Sequence, residues 1–342
     1  MNGRQRAVLM GLGVSCAISG ICAFSIGAVA IPPSAWSSLL GLGGTHTAQQ
    51  EAVLFIVRFP RVILALLAGA ALAVGGAAMQ ALFRNPLADP SIIGISSGAG
   101  LSAALAITAT TPLVTLVGAW AGPVALPVLA FTGALLSASL VFGIARDGRR
   151  ANVGAMLLAG IGITAIAGAL TGLLTYTASN DQLRSITFWL LGSLGGADRN
   201  AVIIMCVAVP VPLWMILRSH RQLNALALGE QQARYLGVDA ERIKRRVVLA
   251  TSVMVGATVA LCGVIGFIGL VVPHVLRMIG GVDNRFLLPA SMLGGALLLC
   301  LADTLARTMV APAEIPIGVI TALCGAPVFL ALLVRRKRSL VL

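Results

Sequence analysis

The pentapeptide Gly94-Ile95-Ser96-Ser97-Gly98 matches G-x-S-x-G, a pattern that can hold a serine hydroxyl on a sharp turn for nucleophilic attack. That chemistry also needs a strand feeding the turn, a histidine to take the proton and a carboxylate to orient it. Here the flanks are a proline-broken segment, Arg84 to Pro90, and an apolar run of helical character. The histidines are His46, His220 and His274, and the topology derived below puts His46 on the far side. A serine hydrolase built on Ser96 therefore stays an alternative, and small residues opening a helix beside a crowded wall is the preferred reading. No HExxH, EF-hand or histidine cluster offers a metal site. Lys244 and Lys337 are the only lysines and neither follows a glycine-rich run, so the chain has no phosphate-cradling loop of its own.

The elements that would position any site are set by composition. The chain has 342 residues, 58% of them hydrophobic and 10% charged, against about 25% charged in a soluble domain. Segments such as 7–30 and 62–82 exceed the roughly 18 to 20 uncharged residues that cross a bilayer as helix. Long apolar runs, rather than short alternating ones, exclude a barrel. The expectation is an all-α integral membrane protein with spans at about 7–30, 62–82, 92–110, 113–145, 153–177, 201–217, 247–264, 266–280, 287–305 and 314–334. The first run lacks a cleavage site and is read as a span.

A net charge of +13 raises the question of nucleic acid. With ten crossings, 19 of the 24 lysines and arginines fall on the side of the N-terminus, and Arg58, Arg61, Arg184, Arg199 and Arg307 on the other. The positive-inside rule then makes both termini cytoplasmic and explains the basicity without nucleic acid. Six cysteines, at 16, 22, 206, 262, 300 and 324, read as small buried hydrophobes.

Within the spans, Gly69, Ala73, Ala77 and Ala81 repeat every four residues, and Gly168 with Gly172 makes a GxxxG; both fit close helix packing. The polar stretch 218–246, about 29 residues, is much longer than the ~2 to 8 of a bundle connection. It carries its own apolar pattern at Leu223, Leu226 and Leu228, then Ala233, Leu236 and Val238, and reads as a docking element for a soluble partner. Residues 179–200 are too short to cross and read as an interfacial or re-entrant helix. Arg58 and Arg61 share a helical face, and Asp303 with Arg307 at i+4 lies near the outer end of the ninth span. Coupling carboxylates within spans are otherwise lacking, which disfavours a self-contained secondary transporter and moves the driving force to a partner.

The blocks "RFPRVILALLAGAALAVGGAAMQALFRNPLADPSIIGISSGAG", "LALGEQQARYLGV", "GVIGFIGLVVPHVLRMIGG" and "EIPIGVITALCGAPVFLALL" closely resemble, in order and over nearly the whole chain, the permease subunit of bacterial type II ABC importers, the family that moves vitamin B12, iron-siderophores and haem. Glu314-Ile315-Pro316 stands where many members have Glu-Leu-Pro.

The resemblance implies a homodimer in the bacterial inner membrane, with ten helices per subunit and a central path. Two separate ATPase subunits carry ATP, and a periplasmic binding protein docks on the other side. It implies coupling to the ATPase through Leu226, Leu228, Gly229, Glu230, Arg234 and Gly237, with Glu230 and Arg234 pairing with each other or with the partner. It implies a cytoplasmic gate at Asn85, Leu87, Asn152 and Val153, and binding-protein docking by Arg58, Arg61 and Arg307 as rim charges. His274 is expected to pack without acting as a ligand. The segment 181–197 looks most like haem permeases: Arg184 precedes the apolar Phe188 and Trp189, and a pair of such arginines would suit a flat apolar ligand with two carboxylates. Alternatively, Arg184 pairs with Asp181 and only caps its helix. The expected substrate is haem, with ferric siderophore and vitamin B12 as alternatives, and no permanently bound cofactor is expected.

Overall fold

The computed structural model describes residues 1–27, 31, 38, 47–109, 121–148, 150–311 and 313–338, with backbone alone for 121–123 and 331–338. His46 and the start of the expected span 113–145 lie outside the described residues. The chain is helical: α1 (Gly3–Ser25), α2 (Ala48–Phe83, with a π-helical stretch Val53–Arg58), α3 (Ile95–Thr108), α4 (Ala121–Ile144), α5 (Val153–Thr177), α6 (Asn180–Leu190), α7 (Arg199–Ala208), α8 (Pro210–Arg218), α9 (His220–Leu228), α10 (Glu230–Tyr235), α11 (Ala240–Cys262), α12 (Ile268–Gly280), α13 (Asn284–Ala306) and α14 (Ile317–Arg338). Among the described residues the only strands are the two-residue pair β1 (Arg146–Asp147) and β2 (Arg150–Ala151), antiparallel with Arg146 opposite Ala151.

Seven helices are long and apolar enough to cross a membrane, and Ile95–Thr108, Ile268–Gly280 and Ile317–Leu330 are shorter apolar helices. The expected span 201–217 is present as Arg199–Arg218, one of these seven, with an interruption where Pro210 has no N–H for the ladder; Val209 and Leu213 still donate to the Met205 and Val209 carbonyls, both at 3.0 Å, so α7 runs on into α8. Side-chain oxygens cap several starts, among them Asn2 on α1, Asn152 on α5, Asp239 on α11 and Asp283 on α13, each accepting from a backbone N–H of the first turn.

Helix α2 is the core of the bundle, and small residues are what let its neighbours close on it. A Cβ at Gly69 would stand 2.2 Å from the Gly295 carbonyl oxygen of α13, and one at Gly76 only 1.9 Å from the Gly269 carbonyl of α12. Ala73 and Ala77 are fully buried on the same stripe. In lipid, where no hydrophobic force draws helices together, this backbone-to-backbone approach supplies the dispersion contact that does. Gly168 and Gly172 behave differently: a Cβ at either would meet nothing within 4 Å, so that GxxxG is not packed inside the chain. The cysteine expectation also needs correction. Cys262 and Cys300 are buried, but Cys22, Cys206 and Cys324 lie on exposed helix faces, because an apolar side chain facing lipid gains little from burial in protein.

The folded chain sorts into two ends. Contacts of Gln5 with Gly280, of Ala151 with Glu241 and of Asn224 with Asp283 gather the basic segments at one end. Contacts of Arg58 with Phe24 and of Arg61 with Asp303 and Glu314 close the other.

Candidate functional site

Between α3, α5 and the end of α6 lies a groove of about 840 Å³, within the size range of small-molecule sites. Its wall is apolar, with hydroxyls from Ser91, Ser96, Ser97, Thr164 and Thr171. The glycines of the opening motif explain the orientation. Gly94 has φ +78°, and a Cβ there would strike the Ser137 Oγ at 2.3 Å; one at Gly98 would lie 2.4 Å from the Gly133 carbonyl of α4. With both glycines pressed against α4, Ser96 and Ser97 face the groove. The Ser97 hydroxyl bonds the Gly94 carbonyl (3.1 Å) and Thr164 Oγ1 (3.2 Å). Among the described residues no histidine or carboxylate lines the groove, and Ser96 and Ser97 give its apolar wall a polar surface. Sequence reasoning passed over Gly160, Thr164 and Thr171 and took Gly168 only as a packing residue, although their helical spacing on one face of an apolar helix was the available signal.

At the basic end, α2 stops at Arg84, whose αL backbone (φ +49°) turns the chain out of the helix. Asn85 then accepts the Leu87 N–H at 3.0 Å through its side chain, an Asx turn, and Asp89 caps the short 3₁₀ turn Pro90–Ile93. The second expected gate residue, Asn152, caps α5 by accepting from Gly154 (2.8 Å) and Ala155 (3.2 Å). Val153 is half-buried against the core. Both segments are thus short, locally bonded breaks and not parts of continuous helices.

Beside Asn152 sits a cluster absent from the sequence reading. Lys244 is 2% exposed, yet its ammonium meets Glu230 Oε1 at 2.7 Å, Glu241 Oε1 at 2.9 Å and the Ala151 carbonyl at 2.7 Å. The other Glu241 oxygen accepts the Ala151 N–H at 2.8 Å. A buried cation is tolerated because its three donors are matched by acceptors from α10, α11 and β2. Glu230 therefore does not pair with Arg234, four residues on, the first of the two expected pairings, since the α10 turn aims the carboxylate at α11. Gly229 (φ +124°) and Gly237 (φ +76°) supply backbone that side chains rarely adopt, so α9 and α10 meet in a tight corner. Leu223, Leu226 and Ala233 are buried, whereas Leu228, Leu236 and Tyr235 (80%) are turned outward. Asn224 anchors α9 to the start of α13, donating to Asp283 at 2.7 Å and accepting from Asn284 N and Nδ2 at 2.9 and 2.8 Å. The Arg285 N–H, first, and the Asn224 amide hold the Asp283 carboxyl below the usual carboxylate range. His274 is half-buried on α12.

At the opposite end, Arg58, Arg61 and Arg307 are 3%, 6% and 7% exposed. They are not rim charges in this chain. Arg61 holds Asp303 at 2.8 Å and Glu314 at 2.7 Å, Arg307 lies 3.6 Å from Asp303 and donates to the Ala23 carbonyl, and Arg58 donates to Phe24 and Ser25. The cause is the i,i+4 placement of Asp303 and Arg307 facing Arg61 across the α2–α13 contact. On α6, the Ser179 side chain and Gln182 make the capping box. Arg184 does not pair with Asp181; it is exposed, with its guanidinium 5.6 Å above the exposed Phe188 ring. Trp189 is not with them: it packs half-buried against the core, while Leu190 lines the groove.

The family model described as the FecCD transport family matches residues 15–335. The hemin transport system permease protein HmuU of Yersinia pestis is 47% identical over 283 residues, 83% of each chain. The vitamin B12 import system permease protein BtuC of Klebsiella pneumoniae is 41% identical over 334 residues, 98% of this chain and 95% of that one. An inward-facing structure of a metal-chelate type ABC transporter superposes with TM-score 0.84 at 31% identity, covering 96% and 99% of the two chains. A groove between helices, breaks in the chain at one end and exposed apolar corners beside them are what a permease needs, and the chain belongs to the FecCD transport family, as the membrane permease of a type II ABC importer.

Proposed function

We propose that this chain works as a homodimer in the bacterial inner membrane and imports haem, delivered by a periplasmic binding protein and driven by two copies of a separate ATPase. The observation that carries the substrate reading is Arg184. It is an exposed cation without a carboxylate partner, stacked on Phe188, on the helix whose Leu190 lines an apolar, hydroxyl-bearing groove. In a dimer there are two such arginines, suited to the two carboxylates of an otherwise flat apolar ligand. The identity to a hemin permease supports the same choice, while the similar identity to vitamin B12 permeases keeps that substrate, with ferric siderophores, as the alternative.

Each half of the machine has a physical basis. The outward Leu228, Tyr235 and Leu236, with Gly229 and Gly237 shaping their corner, offer an apolar surface to the ATPase. Glu230 on that surface grips Lys244, which grips Ala151, the residue before Asn152. Movement of α10 is therefore passed to the Asn152–Val153 gate through two short polar contacts. Asn85 and Leu87 form the other gate segment. The unpacked α5 face with Gly168 and Gly172 is available to the second copy. The binding protein docks at the end holding Arg58, Arg61 and Arg307, where its acidic groups would have to replace acceptors these arginines already have.

Reconstitution with the cognate ATPase and binding protein tests the substrate: haem-loaded binding protein should drive ATP-dependent uptake, and uptake with a siderophore or vitamin B12 in its place would reject haem. Arg184→Ala should reduce haem uptake at least about tenfold, the scale of one lost charged hydrogen bond, while ATPase assembly stays unchanged. Normal uptake would remove Arg184 from the path.

A further inference from the structure

The outer face of the bundle carries a second built feature, away from the groove. At the basic end, Arg146 of β1 and Arg242, Arg245 and Arg246 of α11 converge on a cavity of about 600 Å³ whose apolar floor is Phe142, Met215 and Leu249. Asp239 and Glu241 also line it, but both are engaged: Asp239 caps α11 through the Arg242 N–H at 3.0 Å, and Glu241 binds Lys244 and the Ala151 N–H. Arg242 reaches Asp239 only at 4.0 Å between two exposed side chains, a contact of little strength. Among the described residues, Arg146, Arg245 and Arg246 have no acidic partner.

At 100° per residue, Arg242, Arg246, Leu249, Val253, Ala257 and Ala260 share one face of α11. That face leads from the arginines to a second cavity of about 350 Å³. There the alanines of α11 leave a furrow between Phe131 of α4 and Ile203 and Val207 of α7, and every lining residue is apolar. From Leu249 to Leu261 the helix rises about 18 Å, the scale of one acyl chain.

We propose that this face binds an anionic phospholipid, its phosphate on the arginines and one acyl chain along the α4–α7–α11 furrow. Charge complementarity selects the headgroup, and the α11 face that runs from the arginines through Leu249 and Val253 to the furrow selects a lipid over a soluble anion. The site is separate from the transport path, and its test does not depend on the substrate.

The full-length chain, purified in neutral detergent, would be titrated with phosphatidylglycerol and phosphatidylcholine and read by native mass spectrometry. Phosphatidylglycerol should be retained preferentially. Arg146→Gln, Arg245→Gln and Arg246→Gln should each weaken it about fivefold and leave phosphatidylcholine unaffected. Ala260→Phe, which fills the furrow, should weaken it without altering the response to glycerol 3-phosphate; should that variant not fold, the arginine series decides alone. Equal retention of the two lipids would overturn the proposal. So would glycerol 3-phosphate binding as tightly as the lipid, which would mark a free-anion site, or displacement of the lipid by the ATPase, which would assign the pocket to that interface.

Discussion

Replacing Lys244 with methionine should cut substrate uptake by at least about tenfold while the ATPase still assembles and hydrolyses ATP. The ammonium is the common partner of Glu230 on α10, Glu241 on α11 and the Ala151 carbonyl next to Asn152, the residue proposed as part of the gate. Methionine fits the volume but offers no donor, leaving two carboxylates and a carbonyl without their cation. Glu230 and Glu241 keep 35% and 25% of their side-chain exposure, so water replaces part of the loss. The cost is then about 2 kcal/mol, below the 3 to 5 of a fully buried broken pair, and the protein should remain folded. On the proposed coupling the larger consequence is mechanical: with the tie gone, motion of α10 would no longer reach Ala151. Glu230→Gln keeps a hydrogen bond without the charge and should fall between. The diagnostic readout is the ratio of ATP hydrolysed to substrate imported, which a purely structural lysine would not raise. An unchanged ratio in Lys244→Met, with uptake intact, would show that Lys244 only packs the turn.

Asp303→Ala should lower the stability of the chain by about 3 to 5 kcal/mol, because it leaves Arg61 and Arg307 buried with much of their compensation removed. Asp303 is 1% exposed, and Arg61 retains only Glu314, which lies partly in solvent. Asp303→Asn should be milder, since an amide oxygen still accepts from Arg61 Nε. A double variant, Asp303→Leu with Arg307→Met, should recover part of the loss by removing a charge together with its partner. Thermal unfolding in detergent measures all three. If Asp303→Ala melts like the parent, the arginines are not held by this cluster and their use as docking charges regains its simplest form.

The segment from Met79 to Gly100 shows how far each level of description reaches. From sequence alone it follows that Pro86 and Pro90 break the chain between two spans and that no histidine is arranged for catalysis. Which way the GISSG side chains point was beyond it: Ser137 and Gly133 on α4 exclude a Cβ at Gly94 and Gly98, and this turns Ser96 and Ser97 to the groove.

Class, helical spans, the basic asymmetry and the family blocks are written in the chain because they depend on local quantities: run length, hydrophobicity, charge count and residue order. A lipid-spanning helix must satisfy its own backbone, so its existence needs no knowledge of its neighbours. Partner choice is different. Glu230 lies within reach of Arg234 along its helix but bonds Lys244 across a glycine corner, and Arg58, Arg61 and Arg307 read as exposed charges but are drawn inward by Asp303, Glu314 and backbone carbonyls. Such pairings are decided by which helix faces meet when Gly69, Gly76 and Gly295 let α2 close on α12 and α13. That closure joins residues as far apart as Arg61 and Asp303, and only the tertiary structure brings them together.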